Sequence, residues 1–471
     1  NIAGGLFFRE PLSAGTISGC IISNNGPFGI HCVNNASPNI IGNTISDHLG
    51  SIARDDTLPA AGLVIGYSAY PTIRDNIFEN NQYPIRYEHN ASADIDNSNQ
   101  YIDNIHNAVY VESWEWDAES DTLIWMNPGI PYYFTSTYDL HFIDDVVFID
   151  PGVIFKFQAP ASDTGAVVEI IVERSLIARG TAENPIYFTS ARDDSIGDDT
   201  DGSGRSSGQP GDWGCIHFYG SSADNVLEHC VLRYGGQGHD YETYRGVLEI
   251  ASGSTTVNRC TITRNIWEGI YLAFWDLEEL PESNVIVENS QIYDNGGFGI
   301  IMEADSYEPL AGLVTPLIDN CIVSDNIAGG LFFREPLSAG TISSCTISNN
   351  GPFGIRCDSF SSPSIFGNTI SDHLDSPARE DTLPAAGLVN GYSVYPTIRD
   401  NTFENNQYPI RYEHNASADI DNSNQYQNNI HNGIYVESWE WDAESDTLTW
   451  MNPGIPYYFT STYDLHFIDD V

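Results

Sequence analysis

The chain has 471 residues, with 65 Asp and Glu against 18 Lys and Arg and a net charge of −47. That charge sets aside nucleic acid and anionic membrane surfaces as partners, because both repel a polyanion, and no run of roughly 18 apolar residues is available to span a bilayer. With 41 Gly, 12% aromatic residues and only 3 Met, alongside abundant Asn, Asp, Ser and Thr, the composition favours strands and turns over helices.

Residues 1–146 recur as residues 326–471 with about 20 differences, so that Asn1 matches Asn326, Trp114 matches Trp439 and Val146 matches Val471. The offset defines a tandem unit of 325 residues (326 − 1). Divergence is concentrated where HCVNNASPN at 31–39 stands against RCDSFSSPS at 356–364. Both ends fall inside a unit. The expectation is a window cut from a longer tandem protein: residues 1–126 the C-terminal part of one unit, 127–451 one complete unit, and 452–471 the start of the next.

A shorter period dictates the fold. Aligning HCVLRYGG from His229, RCTITRNIWEGIYL from Arg259, NSQIYDNGGFGIIM from Asn289, NCIVSDNIAGGLFF from Asn320 and SCTISNNGPFGIRC from Ser344 puts Cys230, Cys260, Ser290, Cys321 and Cys345 in one slot, continued by Asn368, Asn401 and Asn424. Five residues on come Asn265, Asn295, Asn326, Asn350, His373, Asn406 and Asn429. The pattern reads as coils of short strands with alternate side chains inward and Asn at left-handed turns. Stacking at strand spacing would line the asparagines into a ladder and pile Ile, Val and Cys into a narrow core. All eight cysteines are thus expected as unpaired packing residues.

These motifs resemble the right-handed parallel β-helix repeat proteins of the pectate-lyase-like superfamily, in the tandem form common in large secreted proteins. Two further stretches, GIPYYFTSTYDLHFIDDVVFIDPGVIFKF from Gly129 and GDWGCIHFYGSSADNVLEHCVLRYGG from Gly211, fit the way that family opens a helix. The resemblance implies an all-β, right-handed parallel β-solenoid with long acidic loops. It does not choose among lyases, hydrolases, epimerases, adhesins and inert shafts.

For site chemistry the strongest segment is the loop carrying Asp193, Asp194, Asp198, Asp199, Asp201 and Ser203. Its carboxylates alternate ahead of a glycine in DTDGSG, an arrangement suited to a hard cation, and Ca2+ is the expected ion. The plainer alternative is a solvated acidic loop. A polygalacturonase-like site needs an Arg-x-Lys signature, which the single lysine, Lys156, does not complete, and arginines such as Arg264, Arg356 and Arg411 fall at unrelated slots. Trp114, Trp116 and Trp125, repeated as Trp439, Trp441 and Trp450, are expected to seal the unit junction. The resulting expectation is an extracellular structural solenoid, a fibre, sheath or adhesive stalk whose partners are copies of itself. The alternative is a carbohydrate-binding or polysaccharide-processing β-helix.

Overall fold

The computed structural model describes residues 4–50, 58–112, 115–116, 122–135, 139–143, 145–160, 167–219, 224–238, 246–274, 284–305, 314–375, 383–413, 415–437, 440–441, 450–459 and 466–467. Contacts divide the chain into two compact units, Asn1–Tyr244 and Arg245–Val471. Among the described residues there is no helix, and none therefore long and apolar enough to cross a membrane.

In the first unit, strands pair in parallel from one coil to the next. One face runs from Leu6–Phe8 through Phe28–Cys32, Ala61–Ile65, Tyr83–Tyr87, Val109–Val111, Tyr132–Phe134, Ile154–Phe157 and Ile186–Ser190 to Cys230–Arg233. Its interior column keeps register as Ile30↔Leu63, Leu63↔Ile85, Ile85↔Val109, Val109↔Tyr132, Tyr132↔Phe155 and Phe155↔Phe188, all buried. Each fully buried aliphatic side chain contributes about 1.5–3 kcal/mol of transfer free energy. A column of them therefore holds successive coils together more strongly than the ladder hydrogen bonds alone.

The second unit builds three faces in the same way. The first holds Glu268–Phe274, Phe298–Ala304, Gly329–Arg334, Phe353–Cys357, Ala386–Asn390 and Tyr408–Tyr412; the second holds Val285–Glu288, Leu317–Asp319, Thr341–Ser343 and Ser364–Phe366; the third holds Thr261–Thr263, Gln291–Tyr293, Ile322–Ser324 and Thr346–Ser348. Stacking is so close that a Cβ on Gly330 would lie 2.2 Å from the Gly354 carbonyl oxygen, which explains glycine in that slot. Strand limits repeat between the copies: Phe28–Cys32 and Phe353–Cys357, Ala61–Ile65 and Ala386–Asn390, Tyr83–Tyr87 and Tyr408–Tyr412.

The asparagine ladders are present in both units. In the second, Asn265 Nδ2 donates to Asn295 Oδ1 at 2.8 Å, Asn295 to Asn326 at 2.9 Å and Asn326 to Asn350 at 2.9 Å. In the first, Asn43, Asn76 and Asn99 form one chain, and His48, Asn81 and Asn104 another. One detail departs from the sequence reading. The left-handed residue is not the ladder asparagine but the one before it: Arg264 (φ 58°), Asp294 (56°), Asp325 (57°) and Asn349 (50°). The corner turns its left-handed residue outward, and the next side chain, directed inward, must satisfy the buried backbone carbonyl of the preceding coil.

A second departure concerns the common slot. Cys230–Arg233 lies in the same sheet as Phe28–Cys32, whereas Ile21–Ser23, which the sequence slot would equate with it, belongs to another. Between Val111 and Tyr132 the chain inserts Glu115–Trp116 and Thr122–Trp125, and from there on the tight corner sits one face further round. Trp116 and Trp125 are themselves buried there, their rings 5.1 Å apart, with Trp125 against Tyr132, Phe134 and Phe155. They fill the interior at this rotation rather than covering it from a loop. Trp114 and Trp439 lie outside the described residues, as does the Trp441 side chain.

None of the eight cysteines is in a disulfide, and seven are buried. Cys20 is exposed, contrary to its inward slot. Its counterpart Cys345 lies beneath Cys321, whose backbone N–H donates to the Cys345 sulfur at 3.4 Å.

Candidate functional site

The acidic loop leaves the strand Ile186–Ser190, in which Ile186 and Phe188 point inward and Thr189 outward. Lys156 is in register with Thr189 on the adjacent strand and points to the same side, yet both are fully buried, because the loop folds back over them. Gly197 and Gly202 allow this contact. A Cβ on the first would meet Pro131 Cγ at 2.4 Å, and on the second His106 Cε1 at 3.0 Å.

The expected cation ligands do not converge on one point. Asp193, 2% exposed, accepts from Thr189 Oγ1 at 2.6 Å, Ser195 Oγ at 2.7 Å and Arg233 Nε at 2.7 Å. Asp194 accepts from the Ser206 backbone N–H at 2.5 Å. Asp199 accepts from the N–H groups of Gly202 and Gly204, and Asp201 from that of Ser203, at 2.9–3.0 Å. Asp198 takes the left-handed conformation at φ 57°, and its carbonyl oxygen accepts from Lys156 Nζ at 2.6 Å. The carboxylates thus shape the loop's own turns or pair with Arg233, and among the described residues no three His, Cys, Asp or Glu groups converge to hold a metal ion. A cation at Asp193 would sit against a guanidinium, so the residues as placed do not fit the Ca2+ expectation.

Lys156 and Arg233 are the members of this cluster that motif reading missed. Each lies at an outward position of a strand neighbouring the loop's parent strand, some 40 residues from its acidic partner, and only the coil register joins them. Arg233 also lies over the rings of Tyr187 and Tyr234, 5.6 Å from each centroid. Burial pushes the Lys156 ammonium down to about 8, against the opposing pull of Asp194, Asp193, Asp201 and Asp198.

Several other charges on the outer faces are paired with one another. In the first unit Arg86 pairs with Glu88 at 2.5 Å, and His31 Nε2 lies 3.5 Å from the same carboxylate. In the second, Arg411 pairs with Glu413 at 2.6 Å, and Arg356 bridges Glu413 at 2.9 Å and Asp358 at 2.7 Å. The two copies differ here by a matched pair: His31 and Val33 in one stand where Arg356 and Asp358 stand in the other. A further cluster joins Tyr271, whose hydroxyl donates to Glu303 at 2.7 Å, to Arg334, 2.9 Å from the same carboxylate.

The sequence model of the right-handed β-helix region matches residues 1–119, 214–314 and 282–445. The chain belongs to the right-handed β-helix family. Two solved structures are similar to this right-handed β-helix protein, both A-modules of mannuronan C-5 epimerases from Azotobacter vinelandii. AlgE4 is 14% identical, with 71% of this chain and 89% of that chain covered and a TM-score of 0.33. AlgE6 is 14% identical, with 78% and 90% covered and a TM-score of 0.30. No curated protein matches the chain.

Proposed function

We propose that this right-handed β-helix is a structural protein deployed outside the cell, as a fibre, sheath or adhesive stalk made of repeated units. The observation that carries this reading is the pairing of His31/Val33 with Arg356/Asp358. Where the copies diverge, a cation and an anion enter together and bond to each other, and the cation bonds also to Glu413. A catalytic site needs charges left available for a substrate, whereas these are committed to holding neighbouring coils. Two copies with the same strand limits likewise suit length or multivalency better than a single reaction centre.

One observation favours a second reading, carbohydrate binding. An open pocket of about 430 Å3 on the first unit is lined by Val146, Phe148 and Ile177 together with Arg174, Arg179, Ser175 and Asp224, which combines apolar side chains with charged and polar groups. Both readings are tested by incubating the chain with a panel of neutral and acidic polysaccharides. The structural reading expects no new reducing ends and no unsaturated product. Turnover of any polysaccharide would overturn it, and retention on an immobilised glycan without turnover would support the second reading.

A further inference from the structure

One corner of the second unit carries apolar side chains at every other coil. The residue following the ladder position is Ile266, then Gly296, Ile327, Gly351, Leu374, Gln407 and Ile430. The stack is contiguous, because the backbone N–H groups of Gly296, Ile327, Gly351, Gln407 and Ile430 each donate to the carbonyl of the ladder residue one coil before. Ile327 is 72% exposed, Ile430 59% and Leu374 46%, and Trp267 beside Ile266 is 50% exposed. At strand spacing the knobs recur about every 10 Å, separated by a glycine or an amide. Scattered surface aliphatics need no explanation, but a regular file of them along one edge of a chain of charge −47 does.

We propose that this ridge is where two copies of the chain associate side by side, with knobs of one over the glycine and glutamine positions of the other at an offset of one coil. The pattern is complementary to itself under that offset, as an alternation of large and small must be. Two such ridges remove on the order of 800–1,000 Å2 from water, below the about 1,200–2,000 Å2 of a stable specific interface, so that association of one pair is weak and transient and tandem units strengthen it. Charge does not forbid the approach. Asp294 lies 3.5 Å from the Arg264 guanidinium, while Asp325 and Asp372, which accept from the neutral amides of Asn349 at 2.6 Å and Asn405 at 3.3 Å, keep their charge and are screened by salt. The first unit repeats the arrangement, with Leu49 50% and Ile105 59% exposed on either side of Gln82.

The inference rests on the structural reading, and its test separates the two. Sedimentation velocity of the full chain over a wide concentration range is expected to show reversible dimerisation that strengthens with salt, as screening relieves the net charge. The variant Ile327→Asp/Leu374→Asp/Ile430→Asp should weaken it by about tenfold or more, while Ile322→Asp, at an exposed apolar position off the ridge, should leave it unchanged. Thermal melting checks that each variant is folded. Undiminished dimerisation of the triple variant would overturn the ridge and leave the structural reading standing. A wild-type chain that stays monomeric at every concentration and salt would overturn the ridge as well, while the polysaccharide panel still decides the structural reading.

Discussion

Replacing Asn295 by Ala removes the centre of the asparagine ladder in the second unit. Its Oδ1 accepts from the backbone N–H of Asn265 at 3.2 Å and from Asn265 Nδ2 at 2.8 Å, and its Nδ2 donates to the Ile262 carbonyl at 3.3 Å and to Asn326 Oδ1 at 2.9 Å. The side chain is fully buried, so no water replaces these partners. Four hydrogen bonds at about 1 kcal/mol each give a loss of about 4 kcal/mol, more if the orphaned Asn265 donors stay desolvated. Thr346→Ala, at an exposed strand position, should cost less than about 0.5 kcal/mol. Repeat architectures need not unfold in one step, so hydrogen exchange is the appropriate assay, read at the amides of Asn265, Asn295 and their strand neighbours alongside the denaturant midpoint. Protection unchanged within about 1 kcal/mol would show that the ladder is incidental to the corner and would refute this reasoning.

Lys156 titrates in the folded chain at about 8, below its ordinary 10.5, so between these values the unfolded chain holds more protons and stability should rise with pH; Lys156→Met should flatten that rise in alkaline melting curves. Desolvation lowers His48 below 6.5, despite the opposing bond to Asn81 and the charge of Asp47. Stability should therefore fall as pH drops below about 6.5, and His48→Asn, which restores the ladder residue, should lessen the fall. Alkylation of the native chain should leave the seven buried thiols unmodified until unfolding, with all eight reactive in denaturant without reductant. Calorimetry with Ca2+ should give the same heats for the wild type, Asp199→Ala and Asp201→Ala, because those carboxylates are already capped by backbone N–H groups; heats lost on either substitution would restore the cation site.

What the sequence made legible was set by neighbours within one coil. The buried columns, the ladder through Asn265, Asn295, Asn326 and Asn350 and the unpaired cysteines all follow from alternation and period, because every coil places equivalent residues over one another. The partners of the acidic loop were not legible. Asp193 meets Arg233 and Asp198 meets Lys156 through the register of adjacent coils, and separately the slots move round by one face at the junction near Trp116. A single column of aligned segments carries no sign of that rotation. Nor did the sequence show which corner residue is left-handed, since Asn occupies both positions at Asn349–Asn350 and only burial tells them apart.

Electron microscopy of the native protein from its source addresses the central claim most directly. The structural account predicts continuous thin filaments or an ordered sheath, with an axial repeat of about 50–70 Å for each 325-residue unit if coils follow one another at strand spacing. Discrete particles of a single chain, dispersed and releasing product from a polysaccharide, would contradict it.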